Sequence, residues 1–158
     1  MKSAIACAAL ILAVFSGASR AAEPKVYDVK ADAVADVKAA TARAAAAHRR
    51  VLVDFGANWC GDCLALDRIF HLPENAALLK SSFEVVHADI GRFDKNEELA
   101  ARFGVPLKKG VPALVVLDER GGVIYAQKNG EFESMRTMDP ASVNAFLKKW
   151  KPAGSPRS

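Results

Sequence analysis

Apolar and polar positions along this chain change their spacing several times, and each change marks an element. Residues 31–48 are dense in alanine, with Val34 and Val37 among polar positions, a composition of high helix propensity. The basic group His48-Arg49-Arg50 at its end suits a helix C-terminus. Residues 51–55, Val-Leu-Val-Asp-Phe, are a short β-rich run and read as a buried strand. A helix over residues 60–70 follows, with Leu64, Leu66 and Ile69 as packing positions; Pro73 marks a break, and residues 75–81 can form a shorter helix. Residues 83–88 are a second strand. Asp94 with Glu97 resembles a capping box in front of Leu99 and Phe103, and Gly104 is the stop. Residues 113–117 and 123–127 form two strands around a tight turn at 118–122, a hairpin pattern. Asp139-Pro140 supplies an N-cap and a first-turn proline for a last helix, on which Val143, Phe146, Leu147 and Trp150 recur at helical spacing.

The order is helix, βαβ, helix, β-hairpin, helix. Parallel strands joined by a crossover and followed by an antiparallel pair predict an α/β fold. Its centre is a mixed four-stranded sheet flanked by helices, with an extra helix at the N-terminal end.

A chain of 158 residues supports one domain with a proper core. Its first stretch stands apart. Lys2, the apolar residues 4–15 and Ser19-Arg20-Ala21 have the grammar of a secretory signal peptide, and the apolar run is short for a membrane span. A lipoprotein signal using Cys7 is excluded because almost no apolar segment precedes that cysteine. The expected organisation is a signal peptide over 1–21, a domain over 22–152 and a flexible tail over 153–158, with the mature protein periplasmic or secreted. Cleavage removes one of three cysteines, which leaves Cys60 and Cys63 as the only thiol pair. The formal charge of +4 falls to about +2 without Lys2 and Arg20. The remaining basic groups, His48-Arg49-Arg50, Lys108-Lys109 and Lys148-Lys149, are scattered. They form no aromatic-studded stripe, so nucleic acid is not an expected partner.

The chemistry gathers at Trp59-Cys60-Gly61-Asp62-Cys63, directly behind the first strand. On the first turn of a helix, cysteines three apart lie within disulfide reach. The helix N-terminus then turns its free N–H groups and partial positive charge toward the first sulfur and favours its thiolate, the reactive form.

The run from Val53 to Cys63 resembles the first core strand and active-site loop of the thioredoxin superfamily, departing at Asp62, where thioredoxin carries proline. Gly110-Val111-Pro112-Ala113 is similar to that family's proline loop. Good matching spans residues 51–117. The resemblance implies a thioredoxin-like fold and thiol–disulfide exchange without a bound cofactor. Cys60 is then the nucleophile, and Cys63, one turn on and more buried, resolves the mixed disulfide.

Other site residues follow from the same resemblance. Asp54, an odd carboxylate in an apolar strand, matches the buried acid behind the second cysteine, which exchanges a proton with Cys63. His87 takes the place of a lysine near that acid, and unlike lysine it titrates near neutral pH. Pro112 is expected in cis, although Val-Pro alone reads as trans. Val111 would pair through its backbone with an extended substrate, and Trp59 would shield the edge of the site. Gly61 and Asp62 lie between the sulfurs and tune them. The Asp62 charge should oppose the Cys60 thiolate, giving a reducing pair nearer about −270 mV than about −120 mV.

These residues point to an exported protein-disulfide reductase or exchange protein. Its partners would be disulfide-containing proteins and a membrane-bound thiol reductase that donates electrons. An alternative is a copper-handling or metal-site-maturation protein that holds Cu(I) on the same cysteines. A third is a binding module whose cysteines are incidental. A strong oxidase fits Asp62 badly. His48, His71 and His87 are the histidines available to a metal, but they lie at element ends or in a strand, and no metal site is expected from them.

Overall fold

A computed structural model describes residues 25–154. The leader predicted over 1–21 lies outside the described residues, as does most of the predicted tail; Ala153 and Gly154 form a turn. The elements are α1 (Ala33–Ala47), β1 (Arg50–Gly56), α2 (Gly61–Phe70), α3 (Pro73–Ser82), β2 (Phe83–Asp89), α4 (Glu97–Arg102), a 3-10 turn (Leu107–Lys109), β3 (Ala113–Leu117), β4 (Val123–Ala126) and α5 (Pro140–Trp150). The strands lie in the order β2-β1-β3-β4. β1 is parallel to β2 and antiparallel to β3, and β3 is antiparallel to β4. This is the expected mixed four-stranded sheet, with α2 and α3 together forming the crossover.

Strand periodicity divides the core into two layers. Val51, Val53 and Phe55 of β1 and Val115 and Leu117 of β3 pack with α1 and α4 on one face. Leu52, Leu114 and Val116 face the other way, against α2, α3 and α5. Asp54 falls on this second face by the same alternation, beneath α2. α1 lies close to the sheet because its inward stripe is small: Ala33, Val37, Ala40 and Ala44 are buried while Val34 points outward. Leu66, Leu78 and Leu147 are each fully or almost fully buried, and burial of such a side chain contributes roughly 1.5–3 kcal/mol.

Several local expectations change. Arg49 and Arg50 do not cap α1; Arg49 pairs with Glu84 at 2.9 Å and Arg50 donates to the Trp150 carbonyl at 2.6 Å, so they tie elements together. Pro73 starts α3 instead of breaking the chain, since its missing N–H is not needed at a first helical position. The capping box is not formed. Asp94 accepts from the Arg92 N–H at 2.7 Å, and Asn96 occupies the α4 N-cap without a side-chain cap bond. β4 ends at Ala126, one residue early, because Gln127 turns inward. The hairpin turn forms as expected, with the Asp118 carboxylate accepting from Arg120 and Gly122, each at 2.8 Å.

Candidate active site

The end of β1 carries the chain through Ala57–Asn58–Trp59 to the first turn of α2. Cys60 is the N-cap of this helix, and its sulfur accepts from the Cys63 N–H at 3.1 Å. A sulfur in that position is stabilised as thiolate by the free N–H groups of the helix end. Cys60 and Cys63 are joined as a disulfide with their Cα atoms 5.2 Å apart. Cys63 is fully buried, whereas Cys60 keeps 6% exposure. Of the two, Cys60 is the sulfur that a substrate can reach.

The expected proline loop stands opposite. The Val111–Pro112 peptide is cis, and the Cys60 sulfur lies 3.7 Å from the Val111 carbonyl oxygen. Beside them the Trp59 ring is 45% exposed. Its indole N–H donates to the Gly91 carbonyl at 2.6 Å, and Phe93 and Arg92 lie against it. Trp59 thus borders the site as an open aromatic surface, with its edge anchored.

On β1, Asp54 is fully buried. Its register partner across the parallel pair is His87, and His87 Nδ1 lies 3.0 Å from Asp54 Oδ2. Burial works to lower the His87 pKa, but the hydrogen bond and charge of Asp54 outweigh it and bring the imidazole above its ordinary 6.5. A residue that the sequence did not single out completes the group. Tyr27, fully buried, donates its hydroxyl to the same Oδ2 at 2.7 Å. Burial first, and then the Asp54 carboxylate, push its phenol well above 10.0.

Asp62 occupies the first turn of α2, as expected, but its charge is not free. The Arg136 backbone N–H donates to Oδ1 at 2.9 Å, and the guanidinium reaches Oδ2 at 3.0–3.1 Å. Burial acts to raise the Asp62 pKa, yet these bonds and the adjacent cation bring it below the ordinary carboxylate value. An uncompensated acid opposing Cys60 is therefore not what the chain builds, and the sequence argument for a strongly reducing pair loses that support. Gly61 lies under the same arginine: a Cβ there would meet the Arg136 side chain at 3.4 Å.

Gln127 is a second residue that pattern analysis missed. Fully inside, it donates to the Pro112 carbonyl at 3.1 Å and accepts from the Leu114 N–H at 3.2 Å, bracing the proline loop against β3. The three histidines do not assemble. His48 and His71 are exposed, near Glu119 and Asp67. Among the described residues no three His, Cys, Asp or Glu side chains stand close enough to hold a metal ion.

Comparison with known proteins agrees with this geometry. A family model described as thioredoxin-like matches residues 32–119, and the chain belongs to that family. It is 42% identical to the disulphide isomerase from Xylella fastidiosa Temecula1, covering 81% of this chain and 98% of that one, with a TM-score of 0.77. Thioredoxin-3 of Dictyostelium discoideum is 42% identical over 45 residues, which are 28% of this chain and 40% of that protein's length. A thioredoxin from Thermus thermophilus shares the fold at 24% identity and a TM-score of 0.53, over 71% of this chain and 81% of that one. The chain is a thioredoxin-like oxidoreductase scaffold with a redox-active cysteine pair.

Proposed function

We propose that the protein is an exported thiol–disulfide oxidoreductase that reduces or exchanges disulfides in other proteins. The observation that carries this reading is the placement of Cys60: on the N-terminus of α2, less buried than Cys63, between the Trp59 ring and the Val111–Pro112 loop.

In the reduced protein the Cys60 thiolate attacks one sulfur of a substrate disulfide. A Cys60–substrate disulfide forms and the other substrate sulfur leaves as a thiolate that takes a proton from solvent. Cys63 loses its proton to Asp54 and attacks Cys60, the second substrate sulfur leaves, and the pair is oxidised by two electrons. If the substrate rearranges and attacks the mixed disulfide first, the result is exchange with no net oxidation. The isomerase activity named for the Xylella protein supports the exchange branch. The leader-like residues 1–21 support export, which in turn calls for a membrane-bound thiol reductase to return the pair to its dithiol form. The domain would then run over 22–152.

Equilibration of purified protein against glutathione and dithiothreitol buffers tests the direction of the chemistry. With the Asp62 charge offset by Arg136, the expected potential lies between about −270 and about −180 mV. A value near about −120 mV would make the protein a disulfide donor and overturn the proposal.

A further inference from the structure

Tyr27 belongs to the segment ahead of α1 and precedes the matched family region, which begins at residue 32. It is nevertheless built into the site. The Asn58 side chain, in the loop before Cys60, accepts from the Tyr27 N–H at 3.1 Å and donates to its carbonyl at 2.6 Å. Both backbone groups of Tyr27 are thereby fixed to the active-site loop. Its ring packs with Cys60 and Cys63 in one buried cluster and meets the His87 ring edge to face at 5.5 Å. The closeness of the phenol to the resolving cysteine is visible at Gly56. A Cβ at that position would stand 2.6 Å from Tyr27 Cζ and 2.9 Å from the Cys63 sulfur.

The two donors, Tyr27 and His87, converge on a single atom. Oδ2 of Asp54 receives both the tyrosine hydroxyl and His87 Nδ1, while Oδ1 is buried and has no hydrogen-bond partner among the described residues. A buried carboxylate with one oxygen held twice and the other oxygen open is oriented, and the open oxygen is the one able to take a proton.

We propose that Tyr27 and His87 are positioning residues for the resolving step: they grip Asp54 Oδ2 from two sides and leave Oδ1 to accept the Cys63 proton. This rests on the reading of Asp54 as the proton acceptor and adds how the acceptor is kept ready. In the step itself the Cys63 S–H bond breaks, Oδ1 gains the proton, the Cys63 sulfur bonds to Cys60, and the pair of electrons in the mixed disulfide departs with the substrate sulfur. His87 is also the link to solvent. Its side chain is 27% exposed and lines a surface groove of about 260 Å³ with Asp67, Phe70, His71 and Leu79. The titratable groups around it are Asp54 on β1, Tyr27 on the N-terminal segment, Asp67 on α2 and His71 at the C-cap of α2; α3 presents only Ala76 and Leu79 to the groove.

Loss of either donor removes one of the two bonds that orient the carboxylate, so Oδ1 is no longer held to receive the proton. Reduced protein mixed with dithiobis(nitrobenzoate) in a stopped-flow cell reports the step directly. The first phase labels Cys60, and the second, independent of reagent concentration, is expulsion of the nitrothiolate by Cys63. Tyr27→Phe keeps the ring and should slow the second phase about tenfold at pH 7 and alter its pH profile, while the first phase is unchanged. His87→Leu should do the same, and His87→Lys, which restores a cationic donor, should return the profile toward wild type. Folded Tyr27→Phe and His87→Leu proteins with wild-type second-phase profiles would overturn the inference. If Tyr27→Phe does not fold, the histidine pair decides alone. Asp54→Asn separates the two levels: if it slows the phase while the other variants do not, only this inference falls; if it too is without effect, the role of Asp54 falls with it.

Discussion

Arg136 and Asp62 lie 74 positions apart in sequence and meet at the first turn of α2, two residues from Cys60. Both carboxylate oxygens of Asp62 are engaged, one by the arginine backbone and one by its guanidinium, at 2.9–3.1 Å. The segment between β4 and α5 thus delivers a cation to the one acidic residue of the cysteine loop. Arg136→Ala should leave that acid uncompensated and raise the Cys60 pKa. Asp62→Asn should leave the arginine unopposed and lower it. The pair is solvent-facing and screened, so each shift should be a few tenths to about one unit, with opposite signs. Alkylation rates of reduced protein against pH give the answer, and shifts of the same sign would refute the pairing.

Stability should depend on pH through His87. Its folded-state pKa is raised above 6.5 by the Asp54 contact. The imidazolium therefore contributes stability that is fully present below its unfolded-state pKa and is lost as pH rises through the folded value. Thermal midpoints of the oxidised protein should fall from mildly acid to mildly alkaline pH, and His87→Leu should flatten that part of the curve. A slope of the opposite sign in the wild-type protein would contradict the assignment.

Gly56 is required by space. The added methyl of Gly56→Ala would press on Tyr27 and on the Cys63 sulfur at once. Overpacking of this kind costs about 1–3 kcal/mol, and urea unfolding should show that loss with an unchanged m-value. Full retention of stability would show that Tyr27 can move away from Asp54 without cost.

Gln127→Leu removes the brace of the proline loop and strands the Pro112 carbonyl and the Leu114 N–H inside the protein. Each buried orphan costs about 1–3 kcal/mol. The loop that faces Cys60 should also loosen, so kcat/KM for a protein disulfide should fall further than the rate of Cys60 with a small alkylating reagent. Equal effects on both would place the damage at Cys60 itself.

Much of this was legible from local pattern. The apolar run over residues 51–55 and the helical spacing on α5 each depend on residues that are near neighbours in sequence, and so do the cysteine and proline motifs. What the pattern does not hold is contact over distance. Tyr27 reads as one tyrosine in an undistinguished segment, Gln127 as the last residue of a strand, and Arg136 as a surface charge. Their roles arise only when the sheet brings β4 beside β3, and when Asn58 fixes residue 27 under the loop. Asp94 does not cap α4 because its carboxylate accepts from the Arg92 N–H and Asn96 stands at the N-cap instead.

The central claim is the order of the sulfurs, and a trapping experiment reaches it most directly. Reduced Cys63→Ser protein incubated with oxidised insulin should stall as a covalent adduct at Cys60, seen by mass spectrometry and released by dithiothreitol, while Cys60→Ser protein forms none and the wild type turns over. An adduct on Cys63 in the Cys60→Ser protein, with insulin reduced at the wild-type rate, would contradict the account.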